Sequence, residues 1–142
     1  MRIKSNTLTQ IFNEFRNGLD ELGGLLGAKS KGNVIEFVVF DKRTSTAKSS
    51  YLPDVDFLNK AMESWCEEGI ELDGMFVMHK ANSKSFTPEG SKHFIKMLSA
   101  MPDPIDKLYD LTVCPTGVVI PHFVIKHHGC VTVFSDSIIE VE

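Results

Sequence analysis

Apolar residues along the first third of the chain recur at helical spacing. Leu8, Ile11, Phe12, Phe15, Leu19 and Leu22 form one stripe, which predicts a helix over residues 7–20 with Asn6 or Thr7 capping its first amides. Gly23-Gly24 interrupts that helix, and Leu25-Leu26-Gly27-Ala28 reads as a short buried strand. The β-branched and aromatic run Asn33–Asp41 (NVIEFVVFD) predicts a second strand, followed by the polar connection Asp41–Ser50. A second helix is expected from Pro53-Asp54 to about Gly69, with Val55, Leu58, Met62 and Trp65 on its apolar side. Leu72–His79 predicts a strand that enters the polar loop Lys80–Ser85. Thr87-Pro88-Glu89 then has the signature of a helix start, and Phe94, Ile95, Leu98 and Met101 give that third helix a buried side before Pro102-Asp103-Pro104 stops it. The remainder alternates strand and turn: Lys107–Cys114, Val118–Lys126, Cys130–Phe134 and Ile138–Val141.

Short turns near the end imply antiparallel hairpins, whereas the helical crossovers in the middle permit parallel pairing. The fold class expected is α/β (α+β): one mixed central sheet flanked by about three helices, in a single domain over residues 1–142. Apolar residues at 42% and charged residues at 24% fit an ordinary globular chain that folds without metal or disulfide.

The net charge of −4 gives no basic surface with which to grip phosphate backbones, so no nucleic-acid partner is expected. The longest apolar runs, Gly74–Met78 and Val118–Ile125, are too short to span a bilayer, and residues 1–6 lack the apolar core of a signal peptide. Cys66, Cys114 and Cys130 cannot all pair with one another. Buried thiols in a reducing cytoplasm are therefore expected.

No phosphate-binding glycine loop and no serine nucleophile elbow is present. Among the five histidines, His127-His128 reads as a solvated turn before a buried Cys130, and His122 as a residue on the solvent side of its strand. His79 differs from these because it ends an apolar strand at a polar loop, where such sheets place functional groups.

Two segments together carry a family resemblance. Glu21-Leu22-Gly23-Gly24-Leu25-Leu26-Gly27 resembles the acid-plus-glycine opening of the JAB/MPN (JAMM) metalloprotease fold. Gly74–Asn82 (GMFVMHKAN) is similar to the strand-to-loop segment with that family's H-x-H-P motif, and Pro88–Lys92 (PEGSK) stands where the family has P-S-x-x-D. The spacing follows H-x-H-x7-S-x-x-D, and the order of elements agrees over nearly the whole chain. The resemblance implies an MPN/JAB-like sheet with cytidine deaminase-like layering. In active members it also implies a zinc held by two His and one Asp, a glutamate that takes the water's proton, and a Ser at the oxyanion. Their substrates are bonds beside ubiquitin-like modifiers.

Transferred to this chain, the resemblance makes Glu21 the relic of the general base and His79 the single surviving metal-ligand position. The vestigial pocket is completed by Ala81, which has no donor atom, Glu89 in place of the Ser, and Lys92 in place of the Asp ligand. Catalytic zinc needs three protein ligands and one open position, so one ligand beside a lysine does not suffice. His93 follows Lys92 but points about 100° away around a helix. Read by residue type alone, Glu21 is equally a surface acid, His79 a hydrogen-bonded strand end and Lys92 a solvated helix residue.

The resulting expectation is a catalytically degenerate JAB/MPN-like domain, a pseudoenzyme that scaffolds, forms a homodimer or binds a protein partner, including a ubiquitin-like or peptide tail. No cofactor and no membrane partner is expected. The alternative is a zinc-dependent peptidase or isopeptidase whose metal site is non-standard and joins His79, His93 and Glu21. A small-ligand module reusing the vacated pocket is a third class.

Lys92 is expected to pair with Glu21, supplying the charge of the missing cation, since a partly buried lone carboxylate is costly. Lys92→Ala should then lower the melting temperature, and Glu21→Gln in the same chain should restore most of the loss. Additive losses in this double-mutant cycle would rule the pair out.

Overall fold

A computed structural model describes residues 1–16, 23–29, 34–41, 54–78, 107–114, 117–128 and 130–142. In chain order the elements are β1 (Arg2–Lys4), α1 (Ser5–Arg16), β2 (Gly23–Lys29), β3 (Ile35–Asp41), α2 (Val55–Glu67), β4 (Ile70–Met78), β5 (Lys107–Val113), β6 (Val119–His127), β7 (Cys130–Ser135) and β8 (Ile139–Val141). They build one mixed sheet in the order β7-β6-β5-β4-β2-β3-β1-β8. Its chain-end hairpins, β5–β6 and β6–β7, are antiparallel. The crossover after β4 returns to a parallel neighbour, β5. This is the α+β mixed sheet read from the sequence. Two helices lie among the described residues, and the expected third, at 87–101, lies outside them.

Several element bounds differ from expectation for local reasons. The first helix begins at Ser5, so Asn6 and Thr7 are within it and do not cap it. Thr7 instead donates its hydroxyl to the Glu36 carbonyl at 2.9 Å. Glu36 is the extra residue where the β2–β3 register passes from Gly27↔Phe37 to Ala28↔Ile35, and such a bulge leaves a residue out of the ladder. The preceding strand, β1, is three residues long and has no readable period; it joins the sheet between β3 and β8. Gly23-Gly24 opens β2. Asp54 caps α2 through its carboxylate, which accepts from the Phe57 amide at 3.2 Å. Val55, expected on the apolar stripe, is exposed, while Leu58 and Trp65 are buried.

The sheet separates two apolar clusters. On one face Met1, Ile3, Leu8, Ile11, Leu26, Ile35, Phe76, Met78, Leu111 and Val113 pack together with α1. On the other, Leu25, Met75, Leu108 and Val124 pack against Leu58 and Trp65 of α2. A second bulge, at Asp73 between the pairs Leu26↔Gly74 and Gly27↔Leu72, switches the side-chain alternation of β4. It lets Leu72 and Ile70 join Met75 beneath α2.

The sheet curls until the chain leaving β7 reaches the head of β1. In the short connection between β7 and β8, the Asp136 amide donates to the Pro121 carbonyl of β6 at 3.1 Å. The Asp136 carboxylate accepts from the α-ammonium of Met1 at 2.6 Å. Burial disfavours charge on Asp136, but the hydrogen bonds from Met1 and Ser137 outweigh it and hold this carboxyl below the ordinary range.

The thiols do not follow the expectation of burial. Cys114 is buried at the end of β5, whereas Cys66 on α2 and Cys130 at the start of β7 are exposed. Each of these two exposed thiols lies on the outward side of its element, a property that three-residue windows of sequence do not reveal.

Among the described glycines, Gly24 has the least room. A Cβ there would run into the Val39 carbonyl oxygen and approach the Phe76 ring to 2.8 Å. Gly24→Ala is expected to destabilise the fold by about 2 kcal/mol or more, because backbone on one side and a fully buried ring on the other leave no room to relax. A urea melt that matches wild type would contradict this placement of β2.

Candidate functional site

Four strand ends converge at one end of the sheet. Gly23, which opens β2, pairs with Asp41 at the end of β3 on one side and with Val77 near the end of β4 on the other. Met78, the last residue of β4, pairs in parallel with Val113, the last of β5. Met78 and Val113 are fully buried, so this end of the sheet has an apolar floor. Asp41 is also buried, and its Oδ2 accepts from the Asp54 amide at 2.8 Å, fixing the start of α2 to the end of β3. In sheets with parallel strands, the region beyond the carboxyl ends of those strands is where ligands bind.

Glu21 lies two residues before Gly23, and His79 one residue after Met78. Glu21, His79, Ala81, Glu89 and Lys92 all lie outside the described residues, as does His93. The described strands bring Gly23, Asp41, Met78 and Val113 to one end of the sheet. Among the described residues, no group of three or more His, Cys, Asp or Glu side chains converges to hold a metal ion.

The structure also places a polar position that the sequence reading passed over. Asp110 lies in the middle of β5, buried, and pairs with Met75 on β4 and His122 on β6. Side-chain alternation puts Asp110, Thr112 and His122 on the same face as Leu108 and Val124, the face covered by α2. Burial alone pushes the Asp110 carboxyl up to about 7. The same cause lowers His122, whose Nδ1 is buried, so the imidazole favours its neutral form. His122 is thus half-buried and faces the α2 side, not solvent as expected. The signal for Asp110 was present: an acid at the centre of Lys107–Val113, a strand otherwise apolar enough to be buried on both faces.

The comparisons with known proteins agree with this architecture. No protein-family model and no curated protein matches the sequence. Among solved structures, the chain is similar to the solution structure of protein DSY2949 from Desulfitobacterium hafniense, with a TM-score of 0.67 and 18% identity over 99% of this chain and 92% of that one. It is also similar to the crystal structure of AF2198, a JAB1/MPN domain protein from Archaeoglobus fulgidus, with a TM-score of 0.54 and 14% identity over 100% of both chains. Likeness at these identities establishes the fold, which is JAB/MPN-like, as the motif spacing implied.

The zinc centre implied by that resemblance does not fit the donor set of this chain. Of the three ligand positions, His79 offers a nitrogen, Ala81 offers no donor and Lys92 brings a cation. No reaction step is therefore derived through a metal.

Asp110 sets a measurable pH dependence. Its folded carboxyl titrates near pH 7 and an unfolded one near 3.8, so between these values the folded chain holds a proton that the unfolded chain has released. Stability should fall as pH rises through that window, by up to about 4 kcal/mol, and level off above pH 7. Asp110→Asn should abolish this part of the slope and be more stable than wild type at pH 8. Parallel stability-against-pH curves for the two proteins would show that the carboxyl is solvated.

Proposed function

We propose that this chain is a non-catalytic JAB/MPN-like domain that works by protein–protein association, as a scaffold or as a binder of a ubiquitin-like or peptide tail. One observation carries the reading. The fold matches a JAB1/MPN domain protein over the full length of both chains, while the positions that would make a hydrolase of it hold alanine and lysine.

The physical reasoning concerns what the end of the sheet retains. Met78, Val113 and Cys114 give it a buried apolar floor, and the Asp41–Asp54 hydrogen bond ties one side of it. Chains that approach such a place are held by main-chain hydrogen bonds and shape, neither of which needs a metal. Lys92 in place of an acid favours an anionic group, such as a peptide's terminal carboxylate, over Zn²⁺. The tail is proposed to dock where the chain leaves β4, beside residues 79–85.

Two further features agree with association. Among the described residues Val118, Phe134 and Ile139 are exposed apolar side chains of the kind a protein partner covers. The net charge of −4 also disfavours anionic polymers as ligands.

Metal content decides between this reading and hydrolysis. After incubation with zinc and gel filtration, elemental mass spectrometry should find fewer than about 0.1 zinc per chain, because one ligand cannot hold the ion. About one zinc per chain, lost on His79→Ala, would overturn the proposal and establish a metallopeptidase site.

A further inference from the structure

We propose that the outer edge of β7 pairs antiparallel with the β7 of a second copy of this chain, about a two-fold axis at Thr132. This inference deepens the scaffold reading above and rests on it, because it names the partner.

Among the described residues β7 pairs with β6 alone and ends the hydrogen-bonding order of the sheet. Its register with β6 is unbroken from His127↔Cys130 to His122↔Ser135, so no bulge turns the edge away. The strand CVTVFS contains no lysine and no proline, the residues that usually protect an edge from pairing. Cys130, Thr132, Phe134 and Ser135 are exposed, and Phe134 keeps 43% of its surface accessible while its ring stacks on Phe123 at 5.0 Å.

Geometry restricts how two such strands can meet. Directly opposed residues of an antiparallel pair lie on the same face of the sheet, so a strand pairs with its own copy only about an axis through a residue. Val131 and Val133 face the cluster beneath α2; Cys130, Thr132 and Phe134 face the other way. An axis at Thr132 sets Val131 opposite Val133 of the second copy, twice, which continues the apolar cluster across the junction. It sets Cys130 opposite Phe134 and Thr132 opposite itself, a favourable β-branched pair.

Hydrogen bonding at the strand ends fits the same register, and the uncharged strand favours a second copy over a charged peptide. His128, exposed in the turn before β7, falls opposite Asp136, which follows it. The imidazole N–H of each copy, a donor in either protonation state, therefore meets the carboxylate of the other. Asp136 already accepts from Met1 and Ser137, and a carboxylate has lone pairs for a further donor. An axis at Val133 would instead set Val131 against Ser135 and His128 against Ile138. The strand itself has no charge, so a charged peptide finds nothing complementary along it. A six-residue edge is shorter than a standard interface, which places the association in the micromolar range or weaker.

The test is molecular mass against concentration for the full chain, by sedimentation at about 5 and about 500 µM. The wild type should rise from 15.9 kDa toward twice that mass. Thr132→Lys and Thr132→Glu, each at an exposed position, should melt like wild type and stay monomeric, because like charges meet at the axis. An equimolar mixture of the two variants should regain the dimer. A wild type that stays at 15.9 kDa, a Thr132→Lys that associates as wild type does, or a mixture that stays monomeric overturns the pairing. These outcomes are independent of zinc content, so this proposal and the scaffold reading fail separately.

Discussion

Asp136 joins strands that the sheet's hydrogen-bonding order keeps five places apart, with its amide on the Pro121 carbonyl of β6 and its carboxylate on the α-ammonium at the head of β1. In a flat sheet five steps amount to about 24 Å. The connection that contains Asp136 is three residues long, between Ser135 and Ile139, and four Cα–Cα steps reach at most about 15 Å. Its ends, β7 and β8, would be about 34 Å apart if the sheet lay flat. Curling of the sheet is the only way to close that gap. It folds one face around α1, Met1 and Ile3, and leaves the other face to α2.

Closure also explains why the centre of the sheet is packed so tightly. β2 lies between β3 and β4 with both faces covered, Leu25 toward α2 and Leu26 toward α1. With no free face, the strand tolerates only small residues where rings and carbonyls approach. Gly24 fits against Phe76 and Val39, and Gly27 fits against Trp65. The same central position puts the start of β2 beside the ends of β3 and β4.

Asp110 shows the cost of this enclosure. A carboxyl on a strand buried on both faces has lost its water, and the pull of desolvation sets its titration near neutrality. Phe134, one strand beyond His122 but on the other face, remains open to solvent because β7 ends the sheet. Burial at the centre and exposure at the edge follow from one topology. The buried carboxyl lies inside, and the exposed ring of Phe134 lies at the edge.

The elements with strong periodicity are legible from residue order alone: the Leu8–Ile11 stripe, the β-branched run Ile35–Asp41, the Leu58–Trp65 helix and the hairpins after Lys107. Hydrophobic period and turn chemistry are local, so they survive without knowledge of the fold. Motif spacing also carried the JAB/MPN-like fold. The remaining placements arise from pairing between distant parts of the chain. β1, at three residues, is too short to have a period, and its place between β3 and β8 comes from pairing across the chain. The inward turn of Asp110 and His122, the outward turn of Cys66 and Cys130, and the closure through Asp136 depend on which neighbours stand opposite. Burial is a property of the whole sheet, and no local window of sequence contains it.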